Sequence, residues 1–125
     1  MRDIIQMLGN SSKILLIHDS DRDFALAMRS QARGDGVHLD QVGTLEDMSV
    51  QQLENYSAVI VRTELRRPGD IFHVNRIKQH CGKIPLVVAG NFLNQQIPRR
   101  LTRSLKVVNL AKGCAQILQA AVEKS

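Results

Sequence analysis

The chain contains few aromatic residues and few cysteines. Only 3% of its 125 residues are aromatic and none is tryptophan, which argues against a stacking surface for single-stranded nucleic acid. Its two cysteines, Cys81 and Cys114, lie far apart and follow no zinc-ligand spacing. Neither a zinc site nor a disulfide framework is therefore predicted, and a reducing cytoplasm is the expected location.

The chain also lacks a long apolar run. No stretch approaches the roughly 20 residues of a membrane-spanning helix, and the N-terminal sequence MRDIIQMLGNSS is too short and too polar for a signal peptide. With 43% hydrophobic residues, however, the chain can bury a core of aliphatic side chains. We predict one domain over residues 13–125, preceded by an N-terminal extension or short helix over 1–12.

Positive and negative charges are divided unevenly along the sequence. Residues 1–61 hold 5 Lys/Arg and 9 Asp/Glu, a net charge of −4, whereas residues 62–125 hold 12 and 3, a net charge of +9. This asymmetry fits a surface for an acidic partner or nucleic acid, and it equally fits a solvated basic face on an ordinary domain.

Apolar runs of strand length alternate with segments of helical periodicity, a pattern typical of a parallel sheet wrapped by helices. The predicted strands cover residues 13–19, 37–42, 57–61, 84–90 and 105–110. The second alternates in polarity and is expected near a sheet edge, whereas the fourth is apolar throughout and is expected to be buried on both faces. The pattern predicts an α/β fold, a doubly wound five-stranded parallel sheet with helices on both faces and a site at the carboxyl ends of the strands.

Helices are expected between these strands. Ser20 is the predicted N-cap of the first helix, which would bury Phe24, Ala27 and Met28, and Asp70 is the predicted N-cap of another. Further helical segments are predicted from Thr44, near Pro98 and over residues 114–124.

Four segments resemble, in order, the receiver domains of bacterial two-component response regulators. They are KILLIHDSDRD, YSAVIVRTEL, IPLVVAG and VVNLAKG, and the resemblance runs from about residue 13 to residue 124. It implies a CheY-like, flavodoxin-like fold. In that family two acidic residues after the first strand hold Mg²⁺, and an aspartate ending the third strand accepts a phosphoryl group. A Ser or Thr after the fourth strand and a Lys after the fifth bind the phosphoryl oxygens.

This chain departs from the family pattern at several of these positions. The acidic pair corresponds to His18 and Asp19, the acceptor to Arg62, the hydroxyl position to Gly90 and the lysine position to Lys112. Arginine is protonated at any accessible pH and cannot be a phosphoryl nucleophile. A cation at the acceptor position, with one metal carboxylate lost, also opposes Mg²⁺. We therefore predict a degenerate phosphorylation pocket, or pseudo-receiver, with no enzyme activity and no cofactor.

Two interpretations of Arg62 stay open. Its guanidinium could form a fixed ion pair with Asp19 and hold the pocket in one state, or it could point into solvent. Glu64, two residues further on, is a remote alternative as phosphoryl acceptor.

The resemblance also implies an interaction surface. In receivers, dimer and output contacts use the face of the fourth helix, fifth strand and fifth helix. The cations that this chain places there are Arg99, Arg100, Arg103 and Lys106. We predict a non-phosphorylatable signalling module that acts through protein contacts or dimerisation, as the regulatory domain of a larger regulator such as a transcriptional activator. The alternatives are an atypical receiver that is still phosphorylated, a ligand-binding strand-end pocket, or a basic domain that contacts nucleic acid.

Overall fold

A five-stranded sheet forms the centre of the protein. The computed structural model describes residues 13–43, 53–65, 68–91 and 105–123. The strands are β1 (Lys13–Ile17), β2 (His38–Val42), β3 (Ala58–Arg62), β4 (Leu86–Gly90) and β5 (Lys106–Asn109). They lie in the order β2-β1-β3-β4-β5, and every neighbouring pair is parallel. This arrangement confirms the predicted fold class.

The helices of the described residues follow the strands. They are α1 (Arg22–Gly34), α2 (Pro68–Cys81), a 3-10 turn (Leu110–Lys112) and α3 (Cys114–Val122). None of them is long and apolar enough to cross a membrane. Three predicted segments lie outside the described residues, namely the extension over 1–12, the helical segment from Thr44 and the short helix near Pro98. Leu53, at the end of the segment from Thr44, is described and is buried.

Side chains alternate along the strands and build a core on each face of the sheet. Leu15, Val59 and Val88 pack on one face with Val74 and Ile77 of α2. The other face carries a second set with α1 and α3, namely Ile14, Leu16, Ile60, Val87, Phe24, Met28, Ile117 and Leu118. Burying one such aliphatic side chain contributes about 1.5–3 kcal/mol. All five residues of β4 are buried and β2 is an edge strand, as predicted.

Helix α1 begins one residue later than predicted and buries a different alanine. Its N-cap is Asp21, whose carboxylate accepts a hydrogen bond from the Phe24 N–H at 3.1 Å. The predicted cap, Ser20, has φ +67° and belongs to a left-handed turn that delays the start of the helix. Ala25, rather than the exposed Ala27, lies with Phe24 in the core, since the buried stripe runs on the other side of the helix.

Helix α2 begins two residues before its predicted cap. Pro68 is the first residue of the helix. Proline suits this position because its φ is fixed near the helical value and because an N–H there would have no partner within the helix. Val74, Ile77 and Cys81 are buried as predicted, and Gly82 follows the helix with a left-handed φ of +59°.

A polar cluster ties the edge strand β2 to the segment that precedes β3. The Tyr56 hydroxyl donates to Asp40 Oδ2 at 2.7 Å, and His38 Nε2 lies 2.8 Å from Asp40 Oδ1. The ammonium of Lys13 lies 5.6 Å from the centroid of the Tyr56 ring. Burial, followed by the hydrogen bond to Asp40 and its negative charge, raises the pKa of Tyr56 to about 12. The same hydrogen bond is the main cause that lowers the pKa of Asp40.

Tyr56 is the only tyrosine and the chain has no tryptophan, so its ionisation can be followed directly by tyrosinate absorbance. We expect a midpoint close to the pKa of about 12, well above the ordinary value of 10.0. Because the folded-state pKa is raised, the stability from the neutral phenol is complete below pH 10 and is lost as the pH rises toward 12.

In Asp40→Asn the midpoint should move down but stay above 10.0, because burial, the largest cause of the raised Tyr56 pKa, remains while the negative charge beside the phenol is gone. Asp23→Asn, at an exposed acid in the first turn of α1, is the matched control and should leave the midpoint in place. A wild-type midpoint at the ordinary tyrosine value would contradict the geometry of the cluster.

Candidate functional site at the strand ends

The carboxyl ends of parallel strands lie along one edge of the sheet, which is where α/β folds of this kind place their sites. His18 and Asp19 follow β1, Arg62 ends β3 and Gly90 ends β4. Lys112 follows β5 at the end of the 3-10 turn. The fold therefore brings every predicted pocket residue to the same edge, although not into one pocket.

Arg62 is held by two carboxylates. Its side chain is 14% exposed, its Nε donates to Asp21 Oδ2 at 3.0 Å, and its Nη2 donates to Glu64 Oε1 at 3.1 Å. Of the two open interpretations, the solvent-facing side chain was wrong, and the ion pair exists but with Asp21 and Glu64 rather than with Asp19. Asp19 is exposed and lies with Ser20 in a left-handed turn, and the carboxylate that meets Arg62 comes from the next residue after that turn.

Asp21 serves two elements with its two oxygens. Oδ1 accepts from the Phe24 N–H and caps α1, while Oδ2 accepts from Arg62. A carboxylate at a helix N-terminus is favoured by the exposed N–H groups and by the helix dipole. The ion pair thus fixes the start of α1 against the end of β3.

Glu64 extends the contact to β4. Its Oε1 accepts from Arg62, and its Oε2 accepts from the backbone N–H of Asn91, the residue after β4, at 2.6 Å. The Thr63 N–H also donates to the carbonyl of Ala89 at 3.0 Å, which continues the pairing of the two strands. From the sequence, Glu64 was predicted only as an alternative phosphoryl acceptor. The spacing of two residues from Arg62 was the available signal that both side chains share one side.

Two of the five predicted pocket residues share a cleft. Asp19 and Arg62 both line a cavity of about 250 Å³ between β1, β3 and α2. Its other lining residues include Thr63, Asp70 and His73.

The other three predicted pocket residues lie outside this cleft. Lys112 is exposed and lines a separate groove along β5 and α3. Gly90 is buried in the sheet, and His18 is partly buried with its Nδ1 atom lacking a hydrogen-bond partner among the described residues.

The position predicted for the phosphoryl acceptor carries a positive charge. Its guanidinium is paired with two carboxylates. Within the described ranges no group of three His, Cys, Asp or Glu side chains is arranged to hold a metal ion. A partly buried ion pair fixes geometry more reliably than it adds stability, because desolvation offsets much of the attraction.

Of the four residues of the predicted interaction surface, only Lys106 lies within the described part of the chain. The ammonium of Lys106 donates to the carbonyl oxygens of Ala120 at 3.1 Å and Glu123 at 2.8 Å. It therefore caps the last turn of α3, a common role for lysine near a helix C-terminus. Arg99, Arg100 and Arg103 lie outside the described residues.

Comparison with known proteins identifies the fold. No protein-family model matches the chain, and no curated protein is significantly similar to it in sequence. Solved structures do match. A protein from Burkholderia pseudomallei described as pilus assembly-related has a TM-score of 0.71 at 9% identity, covering 94% of both chains. An orphan response regulator of H. pylori has a TM-score of 0.68 at 17% identity, covering 90% of this chain and 98% of that one.

A response regulator receiver protein from Sinorhizobium medicae is also similar, with a TM-score of 0.62 at 16% identity over 89% of this chain and 91% of that one. The fold is the one found in response-regulator receivers. At these identities the likeness concerns the fold alone, and function has to be argued from the strand-end residues.

A double-mutant cycle between Arg62 and Asp21 tests the ion pair. Asn is as good an N-cap as Asp, so Asp21→Asn removes the charge while retaining the cap. We expect Arg62→Met to lower the free energy of unfolding, and we expect the two changes to be coupled by about 1 kcal/mol, as for a partly buried pair. Urea denaturation measures both quantities.

Asp19→Asn is the matched control, since asparagine tolerates the left-handed φ of +49° at that position. It should change stability by less than about 0.5 kcal/mol, as surface substitutions usually do. Strict additivity of Arg62→Met with Asp21→Asn, or coupling to Asp19 instead, would contradict the observed pairing.

Proposed function

We propose that this chain is a phosphorylation-independent, receiver-like signalling module that acts through protein contacts and has no enzyme activity. The carrying observation is Arg62, which stands at the acceptor position and is held by Asp21 and Glu64. In this proposal the ion-paired strand ends take the place of a switchable phosphorylation pocket. The module would regulate a larger two-component-type protein through an attached output domain, such as one that controls transcription.

The chemistry of phosphoryl transfer supports this proposal. Transfer to a receiver needs a carboxylate placed in line with the donor and a divalent cation that offsets the developing charge. Here the acceptor position carries a positive charge, and the Asp21 carboxylate is already engaged by a helix N-terminus and a guanidinium. Asp19 is the remaining acid at the metal-binding pair, and His18 stands where the second would be.

Charge supports a protein-contact role through the face predicted from the resemblance. The second half of the chain holds 12 Lys/Arg against 3 Asp/Glu, and three of these arginines fall between β4 and β5. Along β5 and α3, an open groove is lined by Val107, Val108 and Ala111 together with polar residues. A mixed apolar and polar groove, in a half of the chain that is rich in cations, suits an acidic protein partner or a second copy of the chain.

Incubation with acetyl phosphate and Mg²⁺ tests the first half of the proposal. We expect the intact mass of the protein to stay unchanged, because the acceptor position has no nucleophile and the cation at Arg62 opposes Mg²⁺. Mass spectrometry of the untreated and treated protein provides the measurement. A receiver domain that retains its aspartate, treated in parallel, shows that the reagent is active.

A reproducible gain of one phosphoryl group would contradict the proposal. The modified residue would then be located by peptide mapping, and Asp19 and Glu64 are the carboxylates to inspect first. Such a result would favour the alternative of an atypical receiver that is still phosphorylated.

Sedimentation at increasing salt tests the second half of the proposal, which is action through protein contacts. We expect self-association, or binding of an acidic partner, that weakens with salt and is reduced about tenfold when Arg99, Arg100 and Arg103 are replaced by Ser. Arg29→Ser with Arg33→Ser, at exposed positions of α1, is the control for a general loss of charge. Equal effects of both sets would contradict a localised surface, and steeply salt-dependent binding to random DNA would favour nucleic acid instead.

A further inference from the structure

Two hydrogen-bond donors converge on one carboxylate at the ends of β3 and β4. Arg62 Nη2 lies 3.1 Å from Glu64 Oε1, and the Asn91 N–H lies 2.6 Å from Glu64 Oε2. Each oxygen of the carboxylate therefore accepts from a different strand end. Hydrogen bonds with an ionised partner are shorter and stronger than neutral ones.

The pair of donors is suited to small oxyanions in general. A guanidinium supplies charge and directed N–H groups, and a backbone N–H supplies a donor fixed by the sheet. Both donors are well positioned without Glu64, because Arg62 is also held by Asp21 and Asn91 directly follows the buried strand β4. The Glu64 side chain itself is 34% exposed, so the site communicates with solvent.

The backbone after Glu64 adds an independent observation. Leu65 is 5% exposed and has φ +56°, a conformation that is unfavourable for a bulky residue. Its side chain packs in the same core as Val61 and Val74. Strained residues of this kind persist where the surrounding contacts demand them, and this one anchors the loop that carries Glu64 over the strand ends.

We propose that Arg62 and Asn91 form an oxyanion site that Glu64 fills from within the chain. The native ligand is the Glu64 carboxylate, and when it is removed the same donors would bind a small carboxylate or inorganic phosphate. This proposal rests on the proposed function, since it explains how the strand ends are held without phosphorylation.

Glu64→Ala tests whether the carboxylate holds Asn91. We expect the Asn91 amide proton to exchange with solvent about tenfold faster or more, and its NMR resonance to shift, because a charge-assisted hydrogen bond is lost. Asp23→Ala is the matched control, since Asp23 is an exposed acid in the first turn of α1. Glu64→Gln, which keeps an acceptor oxygen without the charge, should give an intermediate result and guards against misfolding of the alanine variant.

Formate then tests whether the donors form a site. Added to Glu64→Ala, it should return the Asn91 resonance and its exchange rate toward the wild-type values, and inorganic phosphate should do the same. The double variant Arg62→Ala, Glu64→Ala should show no such rescue, because only one donor remains. An unchanged Asn91 amide in Glu64→Ala, or rescue that does not depend on Arg62, would overturn the proposal.

These results are separable from those of the phosphorylation test. A domain that gains a phosphoryl group on Asp19 yet shows formate rescue would refute the proposed function and leave the oxyanion site standing. A domain that resists acetyl phosphate, yet keeps an unchanged Asn91 amide in Glu64→Ala, would refute the oxyanion site and leave the proposed function in place.

Discussion

The structure of the strand-end site depends on one cation held between two carboxylates. Arg62 ends a strand whose other residues are fully buried, and its side chain is only 14% exposed. A charge in that position would be costly without partners, because it loses much of its hydration. Asp21 and Glu64 supply the missing interactions, and each remains about one-third exposed. Desolvation of the acids is therefore modest, while two N–H groups of the arginine have charged partners.

The same cation couples elements that are distant in sequence. Through Asp21 it reaches the first turn of α1, and through Glu64 it reaches the N–H that follows β4. The strands themselves contribute rigidity, since β1, β3 and β4 pair side by side and are packed on both faces. The ion-pair cluster at these paired strand ends is what supports the proposal of a module with a fixed conformation.

Sequence patterns predicted the features that depend on local periodicity. The continuous apolar run of β4 and the alternating run of β2 led directly to a buried strand and an edge strand, because strand burial follows the side-chain alternation. The identity of the cation at the end of β3 was equally readable. What periodicity does not encode is the turn conformation after β1, where left-handed Asp19 and Ser20 place Asp21, and not Asp19, against Arg62.

The remaining differences come from tertiary contacts. Glu64 meets Asn91 across 27 positions of sequence, and Lys106 meets the end of α3 across 14 to 17. Neither contact could be predicted from a local sequence pattern. Lys106 was predicted as an interaction residue from the resemblance and from its charge, and that role stays a prediction. The structure adds that its ammonium donates to the backbone carbonyls at the end of α3.

The central claim, that Arg62 is fixed by two carboxylates, is tested most directly by NMR of its guanidinium nitrogens. We expect a slowly exchanging Nε–H and separate Nη resonances for Arg62, since two of its N–H groups are held in place. The exposed arginines Arg22, Arg29 and Arg33 should show fast exchange and averaged Nη signals in the same sample. An Arg62 guanidinium as mobile as those three would contradict the account.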